Sequence, residues 1–438
     1  MNEVGQPAAH ELFASAMPLV IPTQPIAGES IAELVLRATA DNCYRTVGEV
    51  ISAAGISYRG LPAITAKSRG RERELSITLG VTEEQVRQTI PYPVEGRPGW
   101  CDFFGVPLRD IHRSMEYRRV SPRSLARSLH LKAIWSVKVF SFDPRTKERL
   151  LEICPECGRR PTFLRTYGIQ YCEFCSVLDE LGDRQGRIDF RDYPQPIIEV
   201  ADVEALDFAT GLVDPEISGC SARWGLHTEL RELGPSVLFE LLVALGLAIT
   251  STAPRAARVA GRHTIDYSRF QPGILERAGR CILNWPQGFD ALADAVRTSS
   301  GAREAAFGVQ KELGPLLALV HNKNLPHMLR CQINVLIKEN MRSCPDALQL
   351  VRHPVHRPNQ DMMSVQQAAA KYRVARKSLS ALAARKIIAS IRPVGRGRMP
   401  RLVSDAEVAR IVQQQDLSVS NSEAAVRLEH VRVSMNRL

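Results

Sequence analysis

The chain has 438 residues, a formal net charge of +10, 45% hydrophobic residues and 24% charged residues. This length favours two to four domains, and the composition is typical of a soluble globular protein. The most apolar stretch, 237–249, contains Glu240 and is shorter than the roughly 20 residues that cross a bilayer, so we expect no membrane span. The first residues lack a basic leader, so we expect a cytoplasmic protein.

The first predicted domain, 1–110, is helical. Glu29 and Ser30 follow a proline-containing segment and precede an amphipathic helix with apolar residues at helical spacing. Further helical patterns occur around 46–54 and 72–90. Thr82 is followed by two acidic residues and is expected to cap a helix.

The second predicted domain, 111–200, contains a basic segment. Between positions 109 and 170, fourteen Lys or Arg occur against six Asp or Glu, a difference of +8. Such a segment can bind a polyanion, or its charges can simply form a solvated face. The stretch 133–143 partly alternates apolar and polar residues and predicts a strand.

Two Cys-x-x-Cys pairs lie in this domain: Cys154 with Cys157, and Cys172 with Cys175. Their spacing predicts a zinc ribbon in which an intervening hairpin brings two knuckles to one Zn2+ ion. Four thiolates leave no open coordination position, so the ion would be structural and not catalytic. The alternatives are two disulfides, a redox dithiol, buried free thiols or an iron–sulfur cluster. The other six cysteines are isolated and are expected to be buried apolar residues.

The third predicted domain, 201–350, is helical. Helical patterns cover 234–249, 276–298 and 323–341, and Pro286 with Gly288 interrupts the second of them. Trp285, at this interruption, is expected to be a core anchor; the alternative is a platform on which a base stacks. Prolines and polar residues predict a linker at 351–362.

The last predicted domain, 363–438, reads as a winged or MerR-like helix-turn-helix DNA-binding region. Ser364 can cap a first helix, Val374 lies in the turn, and Leu379 and Leu382 form the buried side of a second helix. From 352 onwards, sixteen Lys or Arg occur against six Asp or Glu. The alternative is a helix pair that binds protein, since the turn has Arg373 in place of the usual glycine. The predicted DNA contacts are Arg376, Lys377, Ser378, Arg385, Lys386, Arg396, Arg398 and Arg401.

Several segments, in matching order over most of the chain, resemble the TniQ/TnsD family of transposition target-selection proteins. "PIAGESIAELVLRATADN" resembles the family's opening, where a Glu-Ser pair starts a helix that carries an arginine; here these are Glu29, Ser30 and Arg37. The cysteine pairs resemble the family's zinc ribbon. "LNWPQGF" (283–289) resembles a Trp-Pro segment, and 364–388 resembles the C-terminal helix-turn-helix.

The resemblance implies a protein that selects the target site in transposition and links it to an AAA+ regulator ATPase and a transposase. The implied partners are DNA, these two proteins and, in some members of the family, a CRISPR effector complex. Family members often carry a further Cys/His zinc knuckle upstream of the ribbon. Here 109–152 contains only His112 and His130 and no cysteine, so a single Zn2+ ion is expected.

No phosphate-binding loop and no Gly-x-Ser-x-Gly elbow occurs in the sequence, which favours a binding protein over an enzyme. The predicted fold is mainly α and multidomain, with a central zinc ribbon, a short β hairpin and a C-terminal helix-turn-helix. The predicted function is a non-enzymatic DNA-binding adaptor in transposition. The alternatives are a transcription regulator with the same modules but no transposition partner, and a nuclease or recombinase.

Overall fold

The computed structural model of the protein describes 16–57, 64–175, 177–178, 184–217, 225–250, 265–298, 312–341, 362–385, 387–388, 390–391 and 402–417. These residues are mainly helical, which confirms the predicted class. The chain divides into two compact units, one of Met1–Ser251, Arg255–Leu292 and Ala318–Gln332, the other of Thr252–Pro254, Ala293–Leu317 and Ile333–Leu438. The domain boundaries predicted at 110 and 200 both lie inside the first unit. The predicted linker lies outside the described residues except for its last position.

The first helices confirm the helical patterns near the start of the chain. They are α1 (Ile31–Asp41), α2 (Val47–Ala53), α3 (Ile64–Ser68), α4 (Glu72–Leu79) and α5 (Glu83–Thr89). The pattern over 72–90 is two helices, because Gly80 ends α4 in the left-handed conformation (φ 69°). Thr82 caps α5 as predicted, since its hydroxyl accepts a hydrogen bond from the backbone N–H of Gln85 at 3.2 Å.

A short hairpin and irregular chain follow. The regular elements are β1 (Trp100–Phe103), antiparallel to β2 (Val106–Arg109), then α6 (Pro122–Arg127) and 3-10 turns at Asp110–His112 and Ala133–Ser136.

The strand predicted at 133–143 is wrong. Nearly every residue from Ala133 to Phe140 is buried, so no face alternates with solvent. The buried guanidinium of Arg119 donates to the carbonyls of Trp135 (2.6 Å), Val137 (2.7 Å) and Phe140 (2.9 Å). These carbonyls are therefore satisfied by a side chain and need no neighbouring strand.

The three helical patterns predicted for the chain's middle part are confirmed, and further helices lie outside them. The helices of this part are α7 (Val203–Gly211), α8 (Thr228–Arg231), α9 (Pro235–Thr250), α10 (Pro272–Leu283), α11 (Gln287–Thr298), α12 (Gly314–Val320) and α13 (His327–Glu339). Helix α10 packs against α7 and α9. Gly279 permits the close approach to α7, because a Cβ at this position would lie 2.5 Å from the carbonyl oxygen of Ala205.

The predicted break between α10 and α11 is confirmed. A cis peptide bond joins Trp285 to Pro286 there. The Trp285 ring is 3% exposed, and its indole N–H donates to Glu229 at 3.0 Å. Its ring also meets Phe289 edge to face. Trp285 is therefore a core anchor, and a buried ring of this kind offers no platform to a base.

Within the second unit, the described C-terminal residues combine three helices with a small sheet. The elements are β5 (Met362–Ser364), α14 (Val365–Tyr372), α15 (Arg376–Ala384), β6 (Ser390–Ile391), β7 (Leu402–Ser404) and α16 (Asp405–Leu417). The strands are antiparallel in the order β5-β7-β6. Their shared core is formed by Met363, Val365, Ala368, Leu379, Ala383, Ile388, Val403 and Val408.

None of the described helices is long and apolar enough to cross a membrane.

Candidate metal centre

The four paired cysteines meet in space, as predicted. The Sγ atoms of Cys154 and Cys175 are 3.6 Å apart, those of Cys157 and Cys172 are 3.8 Å apart, and all four lie within 4.8 Å of one another. A tetrahedron with metal–sulfur bonds of about 2.3 Å has sulfur–sulfur edges of about 3.8 Å. The cluster therefore has the size and the donor set that one tetrahedral metal ion requires.

Each pair is held by a tight backbone turn. In the first pair, Gly158 adopts φ 68° and its N–H donates to the carbonyl of Cys154 at 3.0 Å. The N–H of Cys154 donates to the carbonyl of Arg159 at 2.9 Å. In the second pair, the N–H of Phe174 donates to the Cys172 sulfur at 3.4 Å. These local turns aim both sulfurs of each pair at one point, which is why a short sequence spacing sufficed to predict them.

The hairpin expected between the two pairs is wrong. Residues 158–171 form isolated bridges with other parts of the chain: Thr162 with Tyr117, Arg165 with Thr46, and Tyr171 with Asp189. The hairpin instead follows Cys175, where β3 (Val177–Leu178) pairs with β4 (Arg184–Gly186). Backbone groups from distant stretches thus take the place of a self-paired hairpin.

The pKa values of three of the four thiols are shifted, and not all in the same direction. Burial raises the pKa of Cys172 to about 11 and moves that of Cys175 further in the same direction. At Cys157, burial also acts upwards, but hydrogen bonds from the Arg159 backbone and the other thiols lower the pKa. A divalent cation supplies the positive charge that deprotonates such crowded thiols, so the donor chemistry fits a metal ion.

A buried ion pair lies beside the cluster, and sequence reasoning missed it. Arg118 is 1% exposed and donates to the carbonyls of Ile169 (3.1 Å) and Tyr171 (3.0 Å). It also lies 3.6 Å from Glu173, which accepts hydrogen bonds from Thr162. Arg118 and Glu173 thereby tie the chain before Cys172 to a stretch more than fifty positions away. No local pattern connects residues so far apart.

Part of the basic segment is structural. Arg113, Arg118, Arg119 and Lys132 are all less than 8% exposed. Arg119 holds the three carbonyls described above, and Lys132 lies 3.4 Å from Glu216. These four side chains cannot contact a polyanion. A polyanion could contact only the remaining Lys and Arg side chains of this segment.

The two upstream histidines have partners other than a metal. His112 is fully buried and contacts Glu240 at 2.9 Å and Tyr267 at 2.8 Å, while His130 contacts Ser128 at 2.9 Å. Burial lowers the pKa of both rings. Throughout the described ranges, the paired cysteines are the one group of three or more such side chains that lie close enough to share an ion.

The isolated cysteines are only partly as predicted. Cys101 and Cys281 are buried, whereas Cys43 and Cys331 are exposed. Cys220 and Cys344 lie outside the described residues.

The predicted DNA contacts fall partly outside the described residues. Arg376, Lys377 and Ser378 form the first turn of α15 and are exposed, and Arg385 follows the last residue of that helix and is also exposed. Lys386, Arg396, Arg398 and Arg401 lie outside the described residues. Val374 and Leu382 are partly buried against the core of this region, as expected.

Glu29 and Arg37, two residues of the motif at the start of α1, form a buried ion pair. Arg37 donates to both carboxylate oxygens of Glu29, at 2.9 and 2.7 Å, and Glu29 is 1% exposed. Ser30 caps α1 together with Glu33. The motif therefore fixes the segment before α1 against the helix.

The sequence matches no protein-family model, and comparison with curated proteins returned no match. The resemblance to the TniQ/TnsD family stays a prediction that depends on the segments quoted above.

Proposed function

We propose that the protein is a non-enzymatic DNA-binding adaptor with one structural Zn2+ ion, which selects a target site in transposition and recruits an AAA+ regulator ATPase and a transposase. The observation that carries the DNA-binding part is the exposed basic start of α15. The transposition part depends on the family resemblance alone.

The arrangement of α14 and α15 supports a helix-turn-helix. Three residues separate them, and the first, Arg373, adopts the left-handed conformation (φ 52°) that ends α14. Ser364 caps α14 by accepting a hydrogen bond from the N–H of Gln367 at 3.1 Å. Leu379 packs into the shared core at 1% exposure. One side of α15 is thus fixed, and its first turn is left to face a ligand.

The charge at this first turn supports DNA as that ligand. No described carboxylate forms an ion pair with Arg376 or Lys377. Strands β6 and β7 are antiparallel neighbours, and the sequence between them contains Arg392, Arg396 and Arg398. A helix followed by a basic connection between two strands is the usual arrangement of a recognition helix and its wing.

The four-cysteine cluster supports a structural role for zinc. The ion would be held by Cys154, Cys157, Cys172 and Cys175, and it would supply folding energy by closing the two turns on one centre. With four sulfur donors, no coordination position is left for a substrate.

The DNA assignment is tested with R376A/K377A in the full-length protein. Two lost phosphate contacts should weaken binding to a duplex and reduce the slope of log K against log salt by about 2. Fluorescence anisotropy over a salt titration measures both quantities. The charge-matched control is R73A/R277A, which removes two exposed arginines of α4 and α10. If R376A/K377A binds DNA with unchanged affinity and an unchanged salt slope, α15 is not the helix that contacts DNA.

The alternative of a transcription regulator has the same DNA-binding region and no transposition partner. Neighbouring genes for an integrase-type transposase and an AAA+ ATPase would favour the adaptor, and a neighbouring promoter bound by the protein would favour the regulator. Metal-dependent cleavage of DNA by the purified protein would contradict both and indicate a nuclease.

A further inference from the structure

A second basic surface lies on the first unit, around the cysteine pairs. We call it the arginine–aromatic face. Its three rings are partly exposed: Tyr117 by 39%, Tyr167 by 38% and Phe174 by 37%. Its members are Arg45, Tyr117, Arg159, Arg160, Tyr167, Phe174 and Arg187.

Each ring of this face carries at least one guanidinium group. The distances from guanidinium carbon to ring centroid are 5.1 Å for Arg159 over Phe174, 5.6 Å for Arg160 over Tyr117, 3.0 Å for Arg187 over Tyr167 and 5.9 Å for Arg45 over Tyr167. A guanidinium group attracted to a ring in this way still has N–H donors that can bind a ligand.

Backbone contacts hold two of the three arginine–ring groups beside 158–171. The bridge between Thr46 and Arg165 brings Arg45 beside Tyr167, and the bridge between Tyr117 and Thr162 brings Tyr117 beside Arg160. Arg187 connects the ring of Tyr167 to the second cysteine pair, since it donates to the carbonyl of Cys175 at 2.9 Å.

Carboxylates close to this face in the chain are engaged with other donors. Glu49 accepts from the backbone N–H groups of Arg45 and Thr46, and Glu156 accepts from the hydroxyl of Tyr193. Glu173 is buried with Thr162 and Arg118. Among the described residues, no carboxylate forms an ion pair with any of the four arginines of the face.

We infer that the arginine–aromatic face binds the sugar–phosphate backbone of DNA and is a second contact, separate in sequence from the C-terminal helix pair. Guanidinium groups fixed on rings lose little freedom when they bind phosphate, and their paired N–H donors match phosphate oxygens. The inference rests on the proposed role in DNA binding. Phosphodiesters are common to duplex and single-stranded DNA, so the experiment uses both.

The test uses the full-length variant R45Q/R159Q/R160Q, which leaves Arg187 and its contact with Cys175 intact. The probes are one fluorescein-labelled oligonucleotide alone and annealed to its complement. Loss of three phosphate contacts should weaken binding at 0.1 M salt at least about tenfold and reduce the salt slope by up to about 3 for the duplex or about 2 for the single strand. The probe whose binding weakens more, duplex or single strand, is the form of DNA that the face contacts.

Three controls accompany the variant. R73Q/R127Q/R277Q removes the same charge from exposed arginines of α4, α6 and α10 and should bind like the wild type. R45K/R159K/R160K keeps the charge and should retain most of the salt slope. Metal content and melting temperature equal to those of the wild type establish that the glutamine variant is folded.

The outcomes separate this inference from the proposed function. If R45Q/R159Q/R160Q binds both probes like the arginine control while R376A/K377A binds weakly, the face is not a DNA contact and the C-terminal assignment stands. If R376A/K377A binds like the wild type while R45Q/R159Q/R160Q binds weakly, the face is the DNA contact and the C-terminal assignment fails. A lysine variant as weak as the glutamine variant, with normal metal content, would also overturn phosphate binding as the mechanism.

Discussion

Asp214 is a buried carboxyl group surrounded mostly by like charge. It is 4% exposed and faces Glu216, Asp143 and Lys132. Burial, assisted by the two carboxylates, raises its pKa to about 6, against the opposing hydrogen bond from the Glu216 backbone. The folded protein therefore binds this proton more tightly than the unfolded chain does. The stability that the protonated group contributes is complete below its ordinary pKa of 3.8 and is lost as the pH rises through about 6.

We therefore expect D214N to stabilise the protein at pH 8 by up to about 3 kcal/mol, because two pKa units correspond to that free energy. The advantage should shrink towards pH 4, where the wild-type group is protonated in the folded state and about half protonated in the unfolded chain. Urea unfolding at pH 4, 6 and 8 measures the difference. D192N, at an exposed position, is the control. A D214N protein no more stable than the wild type at pH 8 would contradict this account.

At the level of single residues, the sequence predicted caps well and long-range partners poorly. Ser30, Thr82 and Ser364 all cap helices, because the capping groups lie within three positions of each of them. Arg119 shows the opposite case. Its carbonyl partners lie 16 to 21 positions away, so the sequence displays only a charge, and the charge suggested a solvated or ligand-binding residue.

At the scale of an element, the four-cysteine cluster leads to a prediction about metal content and melting temperature. Reduced wild-type protein should contain one zinc per chain by elemental analysis. C157S should lose it and melt several degrees lower, because metal binding at such sites contributes folding free energy. Cys157 is the one exposed member of the four, so the substitution leaves the packing around the cluster in place.

The control is C331S, which changes another exposed cysteine outside the cluster and should retain the zinc. Iron in place of zinc, with visible absorption, would indicate an iron–sulfur cluster. A reduced wild-type protein without any metal would eliminate the site.

The helices were easier to predict than the chain that surrounds the cysteines. Apolar spacing identifies α9 and α10 directly, and Pro286 identifies the break after α10. In 158–171, by contrast, every bridge partner comes from another part of the chain. The cysteine spacing predicted that the sulfurs meet, because it concerns two tight turns. It did not predict which strands would support those turns.

At the scale of the whole molecule, contacts are concentrated within two compact units. The four cysteines belong to the first unit, and Leu379 belongs to the core of the second. We expect L379A, a cavity-forming change worth about 2–5 kcal/mol, to accelerate amide hydrogen exchange in α14, α15 and α16. Exchange around the cysteines should stay unchanged.

Hydrogen exchange read by mass spectrometry checks this expectation. I387A is the matched control, because Ile387 is 50% exposed and lies in the same region. Equal acceleration around the cysteines would show that the second core also stabilises the first unit.

The sequence suggested domains at composition changes, but compactness follows a different division. The charge change near 110 and the loop near 200 both lie within the first unit. Residues on either side are joined by specific contacts, such as that of Lys147 with Asp207 at 2.7 Å. Composition records what a segment is made of, whereas a domain boundary depends on where contacts become sparse.

The bridges of 158–171 also decide how the metal site can be inherited. A zinc site whose supporting strands pair with each other can fold as a short fragment, because ligands and scaffold lie in the same stretch of chain. Here Thr46, Tyr117 and Asp189 supply the pairing. A fragment of residues 150–190 would keep Asp189 but lack Thr46 and Tyr117, so recombination that moved it into another protein would move the ligands without most of their scaffold. A transferable form of the site would therefore have to include the chain from Thr46 to Asp189.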